Sequence, residues 1–426
     1  EVKVTPSPKR KNRGRKPLPK DLPRERREYD VPEAEKVCPD CHTEKTCIGE
    51  DTTEQLEYVP ASLFVVEHVQ LKYACPCCEG HVTQAEKPAQ PIEKGLAGPG
   101  LLAHVITSKY CDHLPLHRQE SILARHGVDL SRSTLCDWMM DSAALLEPVV
   151  RGMQREVLKS AVIHTDDTPV PVQAKGKTHR AYFWVYVGDS DHPYTFYDFT
   201  WTRSREGPGA ILKDYECYLQ ADAFSGYDHL YAKGKIVEVG CWAHARRKFF
   251  ESKESDPVRA HAALARIGEM YKIESAAKEL DATERLTMRR ERTRPLLESF
   301  SEWMDKNQSQ VLPKSPLGKA IGYARNQWAA LTLFTTDGDL NIDNNAAERA
   351  IRPVCLGRKN WLFAGSERGG HAAAVLFSLI ESAKRHGLAP FCYLRDLLAL
   401  LPVISHKRLH LLFPNNWKCA DPETLI

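Results

Sequence analysis

Long apolar runs are missing from this 426-residue chain. Stretches such as residues 397–404 fall far short of the roughly 20 residues a bilayer crossing needs, and Pro402 interrupts that one. No membrane partner is expected. The basic N-terminus is followed by no apolar core, so a secretory signal is not expected in it. Cysteine pairing is equally sparse: of 13 cysteines, four stand in paired spacing and nine are scattered. That pattern fits a reducing compartment with one metal site rather than a disulfide scaffold. Wholesale disorder is excluded by 42% hydrophobic and 27% charged residues, enough for two or three globular domains. The sequence opens on Glu1 rather than Met, so further chain upstream is expected.

What is present begins with charge. The formal net charge is only +3, but residues 1–27 carry eleven Lys or Arg against three acids, a local +8 that leaves about −5 on the remainder. Basicity confined to one end points to a polyanion held there. Residues 1–35, rich in Lys, Arg and Pro, cannot bury a core and are expected to form an extended arm. Its Arg13, Arg15 and Lys16, around an Arg-Gly-Arg step, loosely resemble an AT-hook that lies in the minor groove of A/T-rich DNA.

Next come Cys38-Pro-Asp-Cys41 and, after 33 residues, Cys75-Pro-Cys-Cys78. Two such knuckles separated by strand-like sequence predict a zinc ribbon over residues 36–87, its four thiolates on one structural Zn²⁺. Cys77 is an alternative to Cys78, though its spacing from Cys75 is tight for a knuckle. Pro and Gly around residues 88–100 read as a linker. Residues 96–150 then read as helical, with a first helix ending at Gly127 and a second capped by Ser131 or Ser133. That is helix-turn-helix geometry, with Ile122, Leu123, Val128, Leu130, Leu135 and Trp138 as its core and Arg132 and Ser133 near DNA.

From residue 160 to 385 the pattern turns to α/β. The runs AVIHTDD, RAYFWVYVG and YTFYDFT predict three strands, followed by a helix near residues 210–214, a strand CYLQAD, a short helix and a strand IVEVGC. This order matches a ribonuclease H-like mixed sheet. A charged, helix-periodic stretch at about 250–325 reads as an inserted helical subdomain, NWLFAG as a short strand, and residues 386–426 as a C-terminal helical element. Gly387 is expected to close the preceding amphipathic helix.

Three acids stand where such a fold places chemistry: Asp166 and Asp222 ending their strands, and Glu348 on a helix that Pro353 is expected to close. Phosphoryl transfer on DNA needs carboxylates that hold two Mg²⁺ (or Mn²⁺) ions about 4 Å apart. Adjacent strand residues face opposite ways, so only one of Asp166 and Asp167 can enter the site; Asp166 is the expected one. Asn345, Glu348, Arg349 and Arg352 share a helix face suited to phosphates beside a metal. The bland alternative is a structural Glu348–Arg352 pair at i, i+4. Arg246, Arg247, Lys248, Arg358 and Lys359 are further candidates for backbone phosphates.

The segments HTDDTPVPV, YLQADAFSGYDHLY, CWAHARRKFFE and NNAAERAIRPVCLGRKNWLFAGSERGG resemble the signatures of the insertion sequence 66 family of DDE transposases, and the paired cysteines, DHLPLHRQ and YLRDLLALLP extend the likeness over nearly the whole chain. The resemblance implies a bacterial, cytoplasmic, nucleoid-associated enzyme that binds the terminal repeats of its element, cuts beside them and joins the freed 3′ hydroxyl to target DNA. The implied triad is Asp166, Asp222 and Glu348. A homo-oligomer assembled on DNA and element-encoded accessory proteins are implied with it. Cys241 and His244 resemble an accessory Cys-x2-His pair of related transposases, read as packing that positions the site, with His244 as a phosphate contact. Two other readings use the same residues: a nuclease that stops at hydrolysis, and a catalytically inert DNA-binding regulator.

Overall fold

The computed structural model describes residues 40, 63–73, 83–232 and 234–417. It divides into two units, residues 1–69 and 70–426. Arg13, Arg15 and Lys16 of the arm, and Cys38, Cys41, Cys75, Cys77 and Cys78, lie outside the described residues. On either side of the second knuckle, β1 (Lys72–Tyr73) and β2 (Thr83–Gln84) form a short antiparallel ladder.

Three helices follow: α1 (Pro99–Tyr110), α2 (Leu116–Arg125) and α3 (Arg132–Val157). Of the two candidate caps for α3, Ser131 takes the role, its hydroxyl accepting the Thr134 N–H. Gly127 supplies the left-handed turn between the helices, at φ +79°. Leu123, Leu130, Leu135 and Trp138 are buried as expected, while Ile122 and Val128 are half-buried. The second helix is much longer than a recognition helix: it runs 26 residues and through Pro148. Its apolar face shares one continuous core with the sheet that follows, so among the described residues this helical region is not a separate globule.

That sheet has five strands, β3 (Val162–Ala174), β4 (Lys177–Val187), β5 (Thr195–Thr200), β6 (Tyr218–Gln220) and β7 (Val237–Val239), in the order β5-β4-β3-β6-β7. β3, β4 and β5 form an antiparallel meander, and β6 and β7 continue it in parallel. Between them α4 (Glu206–Ile211), somewhat earlier than expected, and α5 (Asp228–Tyr231) carry the crossovers. β3 is longer than the sequence suggested. It does not end at Asp166 but runs on to Ala174, through Pro169 and Pro171. The prolines fit because β6 leaves β3 after His164, freeing that edge. Gln173, of the same parity, donates its N–H outward to the Ala364 carbonyl, so the missing N–H groups of Pro169 and Pro171 point away from β4.

Helices α6 (Trp242–Glu251), α7 (Pro257–Ala276), α8 (Ala282–Met288), α9 (Arg294–Gln308), α10 (Pro316–Asn326) and α11 (Trp328–Thr332) build a second core around Trp242, Phe249, Ile267, Phe300 and Phe334. Val162 of β3 and Val239 of β7 belong to it, so the helical subdomain is welded to the far edge of the sheet. The chain then returns in α12 (Asn345–Trp361), α13 (Glu367–Arg385) and α14 (Pro390–Leu400). Pro353 does not close α12 but sits inside it. Burial of Ala347, Ile351, Val354 and Gly357 on that helix offsets the one missing hydrogen bond. NWLFAG is not a strand either: Asn360 and Trp361 finish α12, and only Ala364 makes an isolated parallel bridge, to Val172. α13 covers the outer edge of β5, where Ser378 and Ser382 hydroxyls accept the Tyr197 and Thr195 N–H groups at 2.8 and 3.0 Å. Gly387, at φ +70°, follows its end as expected.

Candidate active site

The parallel pairing of β3 with β6 ends at His164 opposite Gln220. Asp166 and Asp222 each lie two residues further along, at the same level of the sheet. β7 ends nearby and Cys241 follows as the N-cap of α6, which places His244 in that helix's first turn. The third element is the start of α12, with Glu348 in its first turn.

One residue ties these elements together. The Asn344 side chain donates to the Thr165 carbonyl at 2.8 Å and accepts from His164 Nδ1 at 3.1 Å, while its backbone N–H donates to Cys241 Sγ at 3.2 Å. Burial pushes the His164 imidazole down to about 4, partly opposed by its bond to Asn344, so the ring is neutral at physiological pH. Its other nitrogen accepts from Asn341 Nδ2 at 3.1 Å. One step on, the buried Asp343 accepts from the Tyr271 hydroxyl at 2.9 Å and from Asn345 Nδ2 at 2.7 Å, which couples α7 to the start of α12. The motif DNN is thus a structural knot as well as a helix start; reading it only for Glu348 missed Asn344, Asp343 and His164.

Charge is concentrated here. Burial lifts the Asp166 carboxyl to about 7; the Asp167 N–H opposes the shift, and the charges of Asp222, Asp167 and Glu348 add to it. Burial also raises Asp167, but the Arg203 guanidinium opposes it with a bidentate pair at 2.7–3.0 Å. Arg203 itself lies over the Phe224 ring at 3.8 Å. Nothing in the sequence pattern marked Arg203, since its partner is 36 residues away.

Glu348 faces His244, with Oε1 3.7 Å from Nδ1. Among the described residues this is its ion-pair partner, not Arg352. Both atoms are buried and, among the described residues, have no hydrogen-bond partner. Cys241, His244 and Glu348 have ligand atoms within 4.8 Å of one another, and among the described residues theirs is the group of three that does; Asp166 and Asp222 do not close to that spacing with Glu348. Burial holds the Cys241 thiol up at about 11, opposed by the Asn344 N–H. Beside Glu348 a cleft of about 510 Å³ opens, lined by Arg246, Arg247, Phe250, Tyr271 and Asn345 among others. A smaller cavity of about 330 Å³, lined by Arg151, Asp198, Arg368 and His371 among others, shares no residue with it.

The remaining candidates scatter. Arg349, Arg352 and Lys359 are exposed, and Lys248 lies over the Tyr323 ring. Arg358 is turned inward, its guanidinium donating to the Thr168 hydroxyl and the Pro169 carbonyl, so it is not a free phosphate contact. Arg132 and Ser133 are exposed at the start of α3, where the Arg132 N–H donates to Glu120.

Comparison with known proteins places these features in a family. Residues 94–372 match "Transposase IS66 family", and residues 35–79, which include all four paired cysteines, match "zinc-finger binding domain of transposase IS66". Among curated proteins of Sinorhizobium fredii (strain NBRC 101917 / NGR234), the uncharacterized protein y4hP is 35% identical, covering 98% of this chain and 79% of its own length. The uncharacterized protein y4qI is 36% identical over 91% of this chain and 76% of its own.

Proposed function

The chain belongs to the IS66 family of transposases, and on that premise we propose that it cleaves and joins DNA through Asp166, Asp222 and Glu348 on a ribonuclease H-like sheet. The strand order β5-β4-β3-β6-β7, with an antiparallel meander continued by two parallel strands, supports that fold. The observation that carries the reading is the Asp166 carboxyl, half-buried at the strand level of Asp222 and raised first by its burial and further by the charges of Asp222, Asp167 and Glu348. Like charges are brought together at a cost that bound cations would reverse.

The donor set fits hard divalent ions: carboxylate oxygens, one of them the buried Oε1 of Glu348, which accepts no hydrogen bond among the described residues. Mg²⁺ or Mn²⁺ held by Asp166, Asp222 and Glu348 would supply activation of the attacking oxygen and stabilisation of the leaving one. The chain's own groups do the rest. Asp166 would hold the ion in its deprotonated form, while Asp167 is engaged by Arg203. Cys241 and Asn344 hold the start of α12 against the strand ends, and His244 sits against Glu348. Arg246, Arg247 and Asn345 line the cleft where a phosphodiester would lie, with Arg349, Arg352 and Lys359 beyond it.

In the same reading Cys38, Cys41, Cys75 and Cys78 hold the structural zinc, and residues 1–35, 36–87 and 96–150 bind element ends, through Arg13, Arg15, Lys16, Arg132 and Ser133, ahead of a catalytic region at 160–385. Assembly as a homo-oligomer on DNA, with element-encoded helpers, in the bacterial cytoplasm at the nucleoid, completes it. The test is incubation with labelled DNA from the flanks of the gene, a plasmid target and Mg²⁺, beside Asp222→Asn. Joined product that needs the metal and disappears in the variant is expected; cutting without joining would leave only a nuclease, and binding without either would leave a regulator.

A further inference from the structure

Beyond Asp166 the sheet narrows, losing β5 past Pro169, to two strands. β3 continues eight residues to Ala174, paired with β4 throughout, whereas β5 pairs only with residues 182–187 of β4. At about 3.3 Å per residue, this ribbon reaches about 26 Å past the acids. Its turn is Lys175-Gly176, with Gly176 at φ +73°. Lys175, Lys177 and Arg180 are exposed on it, and no acid lies between residues 168 and 181.

The loop after α12 is fastened alongside. Ala364 accepts from the Gln173 N–H and donates to the Pro171 carbonyl, both at 2.8 Å. Just before it the backbone is strained. Leu362 stands at φ +65°, ψ −47°, and the Phe363 N–H donates across it to the Trp361 carbonyl at 2.8 Å, a γ-turn of the unfavourable hand. The strain turns apolar side chains to solvent: Leu362 is 63% and Phe363 41% exposed. Lys359 is exposed one helical turn before them. An exposed apolar pair on a strained turn, beside a ribbon whose exposed charges are all basic, has no role in folding that the packing reveals.

We propose that the β3–β4 ribbon and the Leu362–Phe363 turn form a second DNA-docking surface, which grips the duplex about eight base pairs from the scissile phosphate. That distance is the 26 Å reach divided by the roughly 3.4 Å spacing of phosphates along a strand. Lys175, Lys177, Arg180 and Lys359 contact phosphates, and Leu362 and Phe363 press into the minor groove as an apolar wedge that loosens a base step. The excess of cations is what selects DNA over a protein partner. The inference rests on the reading of this chain as a DNA-processing enzyme and adds to it a surface that none of the catalytic acids touches.

The test is binding, not chemistry. Full-length Asp222→Asn protein is titrated against duplexes from the flanks of its gene, with 2-aminopurine placed at successive positions, over a range of salt. In that background, Lys175→Ala/Lys177→Ala/Arg180→Ala should make the slope of log affinity against log salt shallower by about 2 to 3, near 0.9 for each phosphate that is no longer neutralised. Leu362→Ser/Phe363→Ser should leave the slope alone and abolish a fluorescence increase located about 6–10 base pairs from the cleavage point, a window set by the same reach. Unchanged slope and fluorescence in both variants, while the parent still binds, would overturn this surface and leave the enzyme reading standing. A change confined to self-association in sedimentation would overturn it too, and assign the surface to a second copy instead. Failure of the parent to bind any of these duplexes would remove the enzyme reading, and this inference with it.

Discussion

Replacing Asp166 with Asn should stabilise the metal-free protein and disable it. The carboxyl titrates near 7 in the folded chain against an ordinary 3.8, chiefly because burial penalises its charge. For an acid raised in the folded state, the native protein holds the proton more tightly than the unfolded chain. Stability from this group is therefore complete below about pH 4 and is lost as pH rises through about 7. At about 1.4 kcal/mol per unit over about three units, the loss approaches 4 kcal/mol at pH 8, and the partial exposure of the side chain reduces it to about 2–3 kcal/mol. Asn keeps the size and can still accept the Asp167 N–H at 2.8 Å, but carries no charge. Urea denaturation without added divalent ions should show Asp166→Asn more stable than wild type at pH 8 and indistinguishable from it near pH 4. Adding Mg²⁺ at pH 8 should raise wild-type stability and leave the variant unmoved, because only the wild type gains binding energy. A variant less stable than wild type at pH 8, or an advantage that persists at pH 4, would refute the argument that a buried Asp166 charge costs stability.

Other perturbations probe the frame around the site. Arg203→Ala strands the Asp167 carboxylate, whose side chain is 3% exposed, and should cost about 3 kcal/mol in chemical denaturation; adding Asp167→Asn should recover most of it. Asn344→Ala removes both side-chain bonds that tie α12 to β3, at about 1 kcal/mol each plus the penalty on the buried His164, and hydrogen exchange should quicken at the start of α12. Leu362→Gly relieves the strained turn and gives up little packing, so it should raise stability by about 1 kcal/mol while weakening DNA binding. Purified protein should carry one zinc per chain by metal analysis, and Cys38→Ser/Cys41→Ser should abolish its binding.

The candidate acids stand at pattern breaks that are legible in one dimension: Asp166 past the apolar start of a strand, Asp222 after another strand, Glu348 at the opening of an amphipathic helix. What those residues do to one another is not. Arg358 read as a free cation because a helix surface position and a buried donor look alike in one dimension; only the approach of β3 spends it on Thr168 and Pro169. The Cys241 and His244 pair reads as packing in one dimension; the return of α12 sets Glu348 beside it, from 104 residues further on than His244. Prolines lie inside two elements that the local pattern ends too early. The strand expected to end at Asp166 runs on through Pro169 and Pro171, and the helix expected to close at Pro353 continues, because each proline lies where its missing N–H is not needed or where packing outweighs one absent bond.

Local chemistry and periodicity determined the paired cysteines, the basic arm, most of the order of strands and helices and the candidate acids, because each is written in neighbouring residues. Tertiary structure decided which acid of the Asp166–Asp167 doublet is held by Arg203, how far the β3–β4 ribbon extends, and that Asn344 locks three separate elements to one point. Those outcomes depend on contacts between residues up to 180 positions apart, which no local pattern encodes.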